Sequence, residues 1–571
     1  MSVLEFGGLF GTVEDPLLRG LTALHRVEIG GVTYLVAAGR NGLSVLRIGT
    51  DGTAVPAGQL VFETAFLPGL TPTLSPSPSA EGILALGGQM PGGVSFVEIA
   101  PDGTPTVRAA PSDWPVSASL VSSIGSGTTA SILSYDAFTR VLRLHTLDAL
   151  SDMSVFAATA PGVLTGVRAL AGLAVGSADF ALVADSRGTI AALRVSVDAG
   201  FVITDRIGPA DGLTISAVTQ LAPVRLGAEA FVLVGAAGSS SLSVLRLDPT
   251  GALTLTDHVI DALNNRFQAL SALSVIAAGD RVYVFAGGAD DGISTFLLLP
   301  GGTLQHLGVF ADTTATSLQN VTALSAFVRE SELVVLASGE GESGITELLL
   351  DLSDDGPMRL AGPSGGSLGG TALDDILVGG FAADTLSGGA GDDLLFDGAG
   401  ADLLSGGTGA DVFVFALDGA TDRIADFNAA QDRIDLSRIP MLYDPGEFSI
   451  ISTATGAEFR IRGELLIAQS STGTPILVED ARAALVVSVN RPQILPATPL
   501  PTPGPDTLIG GDADDILSGG PGDDLIEGRG GNDILLGDQP MSPEILARYR
   551  VLWESHWPDD FGPNGPDLQV F

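Results

Sequence analysis

The sequence predicts an all-β protein, a seven-bladed β-propeller followed by parallel β-roll modules. Two observations carry that prediction. The first 350 residues repeat a strand-rich unit seven times at intervals of 48 to 52 residues, and two later blocks repeat a nine-residue pattern without a gap. A period near 50 with four short strands suits a propeller blade, whereas a period of nine fits neither a helix nor an ordinary strand.

In the N-terminal region the segments YLVAAGRNGLSVLRI, LALGGQMPGGVSFVEI, ILSYDAFTRVLRLHTL, LVADSRGTIAALRVSV, VLVGAAGSSSLSVLRL, VFAGGADDGISTFLLL and VLASGEGESGITELLL align on Gly39, Gly87, Asp136, Asp185, Gly235, Gly287 and Ser338. Each gives an apolar strand, a small-residue turn and an alternating strand such as Leu43-Ser44-Val45-Leu46-Arg47-Ile48. Period-two alternation marks a strand with one face turned to a core. The seventh unit runs out after Leu350, before a fourth strand. The N-terminal piece Val3-Leu4-Glu5-Phe6 is placed to supply it and close the ring over residues 1–352. Closure would remove exposed sheet edges that aggregate; a solenoid or a sandwich is the alternative architecture. Asp136, Asp185, Asp290 and Asp291 fall in equivalent inter-strand turns. They read either as a metal-binding rim of a lactonase-like hydrolase or as solvated turn residues, and the second reading is preferred.

From Gly370 to Val414 the chain reads GTALDDILV, GGFAADTLS, GGAGDDLLF, DGAGADLLS, GGTGADVFV. The sixth place is always aspartate: Asp375, Asp384, Asp393, Asp402 and Asp411. The eighth is always large and apolar: Leu377, Leu386, Leu395, Leu404 and Phe413. A second block, PTPGPDTLI, GGDADDILS, GGPGDDLIE, GRGGNDILL, puts Asp506, Asp515, Asp524 and Asp533 at the sixth place. Places seven to nine form a short strand with its middle side chain inward. Places one to six form a turn in which glycine supplies backbone conformations closed to other residues. Carboxylates with backbone carbonyls make an all-oxygen donor set, which suits a hard cation such as calcium. Between Leu360 and Asp435 there are 13 acidic residues against Arg423 and Arg433, a net of −11, and between Pro501 and Pro540 there are 9 against Arg529, a net of −8. Two carboxylates ~5 Å apart repel by roughly 3 kcal/mol at an effective dielectric near 20, so stacked turns need a counter-charge to stay compact.

The nine-residue pattern resembles the hemolysin-type calcium-binding repeat of secreted RTX proteins. That resemblance implies a parallel β-roll with two repeats per coil and calcium held between adjacent turns. Its ligands would be the nine sixth-place aspartates together with the carbonyls of Gly389, Gly391, Gly398, Gly400, Gly407 and Gly409. Thr371, Ala372, Ala382 and Ala513 depart from glycine and put the edge sites in doubt. After Val414, ALDGATDRIADFNAAQDRIDLSRI resembles the segment that follows the repeats in serralysin-type proteins. On that resemblance Asp422 and Asp426 close the last calcium turn; the alternative is surface acids capping the roll, in a first roll of residues 353–440. The resemblance also implies a secreted, extracellular protein exported without a signal peptide by type I secretion machinery that reads a C-terminal signal.

The remaining segments are read more briefly. EFSII, EFRIRG, ELLIAQ, PILVED and ALVVSV suggest a small all-strand module over 441–491, packed on the roll. Six prolines from Pro492 to Pro505 suggest a stiff linker. A second roll would span 506–540. Ser542-Pro543-Glu544 opens a helix reaching about Trp557, and Asp567-Leu568-Gln569-Val570-Phe571 resembles the tails of type I secretion substrates.

Composition sets further limits. The net charge is −40, and all 27 basic residues are arginine. That distribution argues against nucleic-acid binding, which needs a basic patch. There is no cysteine for a disulfide or a thiol nucleophile. The five histidines show no HExxH spacing, and no segment supplies a transmembrane span. On the resemblance above, the sequence reading is a secreted calcium-binding protein. Its propeller would be a binding or adhesion module for an extracellular ligand that the sequence does not name.

Overall fold

A computed structural model describes the chain except residues 1–2, 12–15, 63–72, 78–80, 89–94, 111–113, 116–117, 125–130, 149–151, 159–165, 197–199, 363, 443, 493–506, 510–515, 519–524, 528–533, 537–568 and 571. Two compact units result, one of residues 1–209 and 213–494, the other built on residues 495–571.

The first unit opens with seven four-stranded antiparallel sheets. The first is Leu21–Ile29, Val32–Gly39, Gly42–Ile48 and Ala54–Val61. Its two middle strands are almost wholly buried while the last is largely open, so the core lies between blades. Innermost strands of neighbouring blades approach one another all the way round, the seventh meeting the first. In blades one, four, five and seven the innermost strand carries a bulge at its second residue, which adds twist. Hydroxyls near these points fasten blade to blade: Thr219 Oγ1 donates to the Leu270 carbonyl at 2.7 Å, and Thr322 Oγ1 to that of Leu21 at 2.5 Å. The seventh sheet is completed from the other end of the chain. Glu5–Phe10 pairs antiparallel with Ile345–Asp351, Phe10 opposite Ile345.

The nonapeptides form two parallel sheets. One takes Asp374–Val378, Leu394–Phe396 and Val412–Val414; the other takes Asp384–Ala390, Leu403–Thr408 and Thr421–Phe427. Leu377 pairs with Leu395 and Leu386 with Leu404, a step of 18, so two repeats make each coil. The step widens to 20 at Leu403–Arg423 and 21 at Val412–Arg433, where the repeat breaks down. All five eighth-place side chains are fully buried between the sheets. A further coil precedes the repeats: Asp355–Leu360 and Gly366–Gly369 pair with the first strands of the two sheets.

After the roll, three of the expected strands form an antiparallel meander, Ser449–Thr453, Gly456–Ile461 and Glu464–Ser470, which joins the roll rather than only packing on it. Glu464–Ser470 pairs parallel with Thr421–Phe427, and Leu485–Val486 with Arg433–Asp435, so both roll sheets simply continue. PILVED is not a strand: Val478–Ala483 is a short helix, with Glu479 and Asp480 in its first turn and Arg482 in its last. Those charges complement the helix dipole, and the alanines favour the helix, which outweighs the apolar Ile476-Leu477-Val478 run.

In the second unit Thr507–Ile509 pairs parallel with Leu525–Glu527, and Ile516–Ser518 with Ile534–Leu536, again at a step of 18. Gln569–Val570 adds a parallel strand beside Leu535–Leu536. The expected linker after Pro492 and the helix over 542–557 lie outside the described residues. No helix among the described residues is long and apolar enough to cross a membrane.

Candidate metal centre

The sixth-place aspartates stack along the roll as a ladder. Each backbone N–H donates to the carboxylate one coil on: Asp375 to Asp393 Oδ1 at 2.8 Å, Asp384 to Asp402 Oδ1 at 2.6 Å, and Asp393 to Asp411 Oδ1 at 3.0 Å. Two later carboxylates extend it. The Asp402 N–H donates to Asp422 Oδ1 at 3.0 Å, and the Asp411 N–H to Asp432 Oδ1 at 3.2 Å. These seven side chains are all buried.

Each carboxylate has two oxygens, and the ladder leaves some of them without a donor. Asp375 Oδ1, Asp384 Oδ1, Asp393 Oδ2 and Asp402 Oδ2 are buried with no hydrogen-bond partner. A buried charged oxygen without a partner is costly, and the chemistry that relieves it is a proton or a cation. Burial, reinforced by Asp411, Asp375 and Asp374, pushes the Asp393 carboxyl up to about 7. Burial does the same to Asp411, with Asp432, Asp426 and Asp392 adding to it, again to about 7. Burial raises Asp402 and Asp422 to about 6.

The turns supply the other half of a donor set. Gly389, Gly391, Gly398, Gly400, Gly407 and Gly409 have φ between +91° and +141°, a region that L side chains rarely enter. A Cβ on Gly407 would collide with the Gly389 carbonyl, and one on Gly409 with that of Gly391, so glycine lets the coils' carbonyls crowd together. Among the described residues no three His, Cys, Asp or Glu side chains converge as a ready-made cage. An ion held here would take much of its shell from backbone carbonyls. Carboxylate and carbonyl oxygens together are an oxygen-only donor type, which fits calcium rather than a soft metal.

Structure and sequence reading differ in places. Asp422 lies on the ladder, whereas Asp426 binds a turn, accepting from Gly406 N, Gly407 N and Ser405 Oγ at 3.1, 3.0 and 2.6 Å. Asp432 was missed; its signal was Asp432-Arg433-Ile434, which repeats the spacing of Asp422-Arg423-Ile424. Asp397 was missed too. It stands where the other four repeats have glycine, accepts from Gly398 N and Ala416 N, and is driven well above the usual carboxylate range by burial and then by Asp422. Thr371 gives Asp375 Oδ2 two donors, so the first turn is partly satisfied by protein. Asp506, Asp515, Asp524 and Asp533 lie outside the described residues.

Among the described residues the propeller gathers no comparable site. Asp136 Oδ1 accepts from Phe138 N and Thr139 N, and Asp185 Oδ1 from Arg187 N and Thr189 N. Asp290 accepts from Gln268 N and Asp291 from Asn320 N. Burial lowers His25 and His306 to about 4 and His145 to about 3, which keeps them neutral.

The family model of the RTX calcium-binding nonapeptide repeat matches residues 369–396, 378–413 and 502–537. The chain carries RTX calcium-binding repeats. Calcium is the ion that such repeats bind. In the first roll the RTX match ends at residue 413, short of the segment that holds Asp422, Asp426 and Asp432. No curated protein matches the chain. Among solved structures, a protein from Lactobacillus plantarum is similar over 54% of this chain and 87% of its own, at 15% identity and a TM-score of 0.39. A putative 6-phosphogluconolactonase from Bacteroides uniformis is similar over 55% and 93%, at 15% identity and a TM-score of 0.37. Likeness at that level carries no argument; the seven closed four-stranded sheets establish the propeller.

Proposed function

We propose that this is a secreted protein whose RTX repeats fold on binding calcium outside the cell, holding out a propeller that acts as a binding or adhesion module. The observation that carries the reading is the row of buried carboxylate oxygens with no protein donor. Asp375, Asp384, Asp393, Asp402 and Asp411, continued by Asp422 and Asp432, would hold calcium with the glycine carbonyls, and Asp426 would close the last turn. Asp506, Asp515, Asp524 and Asp533 would do the same in the second roll. Bound calcium supplies the positive charge that lets these carboxylates stay ionised while buried. In a low-calcium cytosol their repulsion would keep the repeats loose enough for type I export; outside, sites with dissociation constants of roughly 10⁻⁴–10⁻³ M would fill. The hydrolase alternative draws no support from the turn aspartates, which are engaged with backbone amides.

The test is isothermal titration of the full chain with calcium, with magnesium as control. Saturable binding of several calcium ions near millimolar concentration, absent with magnesium, supports the reading. No calcium heat sinks it.

A further inference from the structure

The odd and even repeats differ outside the ladder. Places seven and nine, which face away from the roll interior, are Ile376 and Val378, Leu394 and Phe396, Val412 and Val414 in the odd repeats. In the even repeats they are Thr385, Ser387, Leu403 and Ser405. One roll sheet is thus apolar on both faces. Its outward face is buried: Ile376, Leu394, Phe396 and Val414 share one core cluster with Tyr283, Phe285 and Leu297 of blade six and Leu350 of blade seven.

Polar fasteners cross the same wall. Arg281, 3% exposed, pairs with Asp355 at 2.8 Å, and the other Asp355 oxygen accepts from the Tyr283 hydroxyl at 2.6 Å. The same guanidinium donates to the carbonyls of Gly356 and Asp374. Arg491 holds Asp257 of blade five through two bonds of 3.0 and 3.1 Å, and also donates to the carbonyls of Leu304 and Ser437. Gln305 Nε2 donates to Asp435 Oδ2 at 2.6 Å.

This wall touches the calcium ladder directly. Asp375, Asp393 and Asp411 each immediately precede a wall residue. Gly356, held by Arg281, lies so close that a Cβ there would meet the partnerless Asp375 Oδ1. We propose that calcium bound in the first roll stabilises the propeller through this wall, with Arg281 as the positioning residue that fixes the first carboxylate turn against blade six. The proposal rests on the calcium reading above. A ligand that binds only the folded state stabilises every element that unfolds with its site, and the coupling is reciprocal. Anything that loosens the wall must therefore weaken calcium binding.

The experiment needs a reporter far from the roll. Trp114 is buried against Phe96 and His145, with ring centroids 4.6 and 4.5 Å away, in a cluster separate from the wall. The chain has three tryptophans, so Trp553→Phe with Trp557→Phe leaves Trp114 alone. Melting of that full-length variant is followed by tryptophan fluorescence in chelator and in millimolar calcium, beside calcium titration calorimetry. The expected result is a rise of several degrees in the Trp114 transition with calcium. Arg281→Met should cut that rise by more than half and weaken calcium binding several-fold. If Arg281→Met fails to fold, Tyr283→Phe, which removes only the hydroxyl from Asp355, makes the same comparison. Calcium binding with an unmoved Trp114 transition overturns the coupling and leaves the calcium reading intact; absence of calcium binding overturns both.

Discussion

Asp393 shows the reasoning at the scale of one side chain. One oxygen takes the Asp375 amide, the other is buried without a donor, and the carboxyl rises to about 7. An unfolded aspartate titrates near 3.9, so between that value and about 7 the folded protein binds more protons than the unfolded one. Metal-free stability is then fully present at acid pH and is lost as pH rises through about 7. Melts of the chelator-treated full chain should fall in temperature from pH ~5 to ~8, and saturating calcium should flatten that trend. Because calcium needs the ionised form, its apparent affinity should drop over the same range as pH is lowered. Asp393→Asn removes the charge while keeping the shape. It should weaken calcium binding at least ~10-fold in calorimetry without lowering the metal-free melting temperature, since a large part of the carboxylate's contribution there is an unmet demand. Asp432→Asn should also weaken calcium binding, although no nine-residue pattern marks that position. Sequence made the sixth-place aspartates legible because they recur. Asp432 and Asp397 escaped because the register shifts by two or three residues at the roll's end, and because one glycine place was filled by an acid.

At the scale of elements, the strands of both repeats followed from period two and turn glycines, and the 18-residue pairing step of the roll from the resemblance to calcium-binding repeats. Gly407 explains why the turn tolerates little else: its φ is +102° and the Gly389 carbonyl lies against it. Gly407→Ala should cost about 1–3 kcal/mol, a typical penalty for a residue forced into a glycine-only region, and should raise the calcium concentration needed for half-saturation. A calcium titration of that variant with unchanged midpoint would remove the glycine carbonyls from the account. The short helix at Val478–Ala483 was illegible for a plain reason. Ile476-Leu477-Val478 has a strand-like composition, yet Leu477 is 54% exposed and Val478 38%, so the apolar run does not mark a buried strand. The terminal charges and alanines of Val478–Ala483 decided the segment against that short apolar run.

At the scale of the whole molecule, the seven-fold spacing was enough to indicate a ring, and the truncated seventh unit indicated that something else must complete it. Removing residues 3–10 should strip Glu5–Phe10 from the seventh sheet and bare the Ile345–Asp351 edge. The expected outcome is a lower melting temperature and soluble aggregates in size-exclusion chromatography, because an open sheet edge templates pairing. The union of roll and propeller was not read from sequence, since it depends on contacts such as Arg491–Asp257, 234 residues apart. Its one local trace was the alternation of apolar and polar outward places between odd and even repeats. The most direct test of calcium-gated folding is hydrogen exchange of the full chain, read by mass spectrometry over residues 369–435 in chelator, magnesium and calcium. Cooperative protection that appears only with calcium is the predicted result. Full protection in chelator, unchanged by calcium, would contradict it.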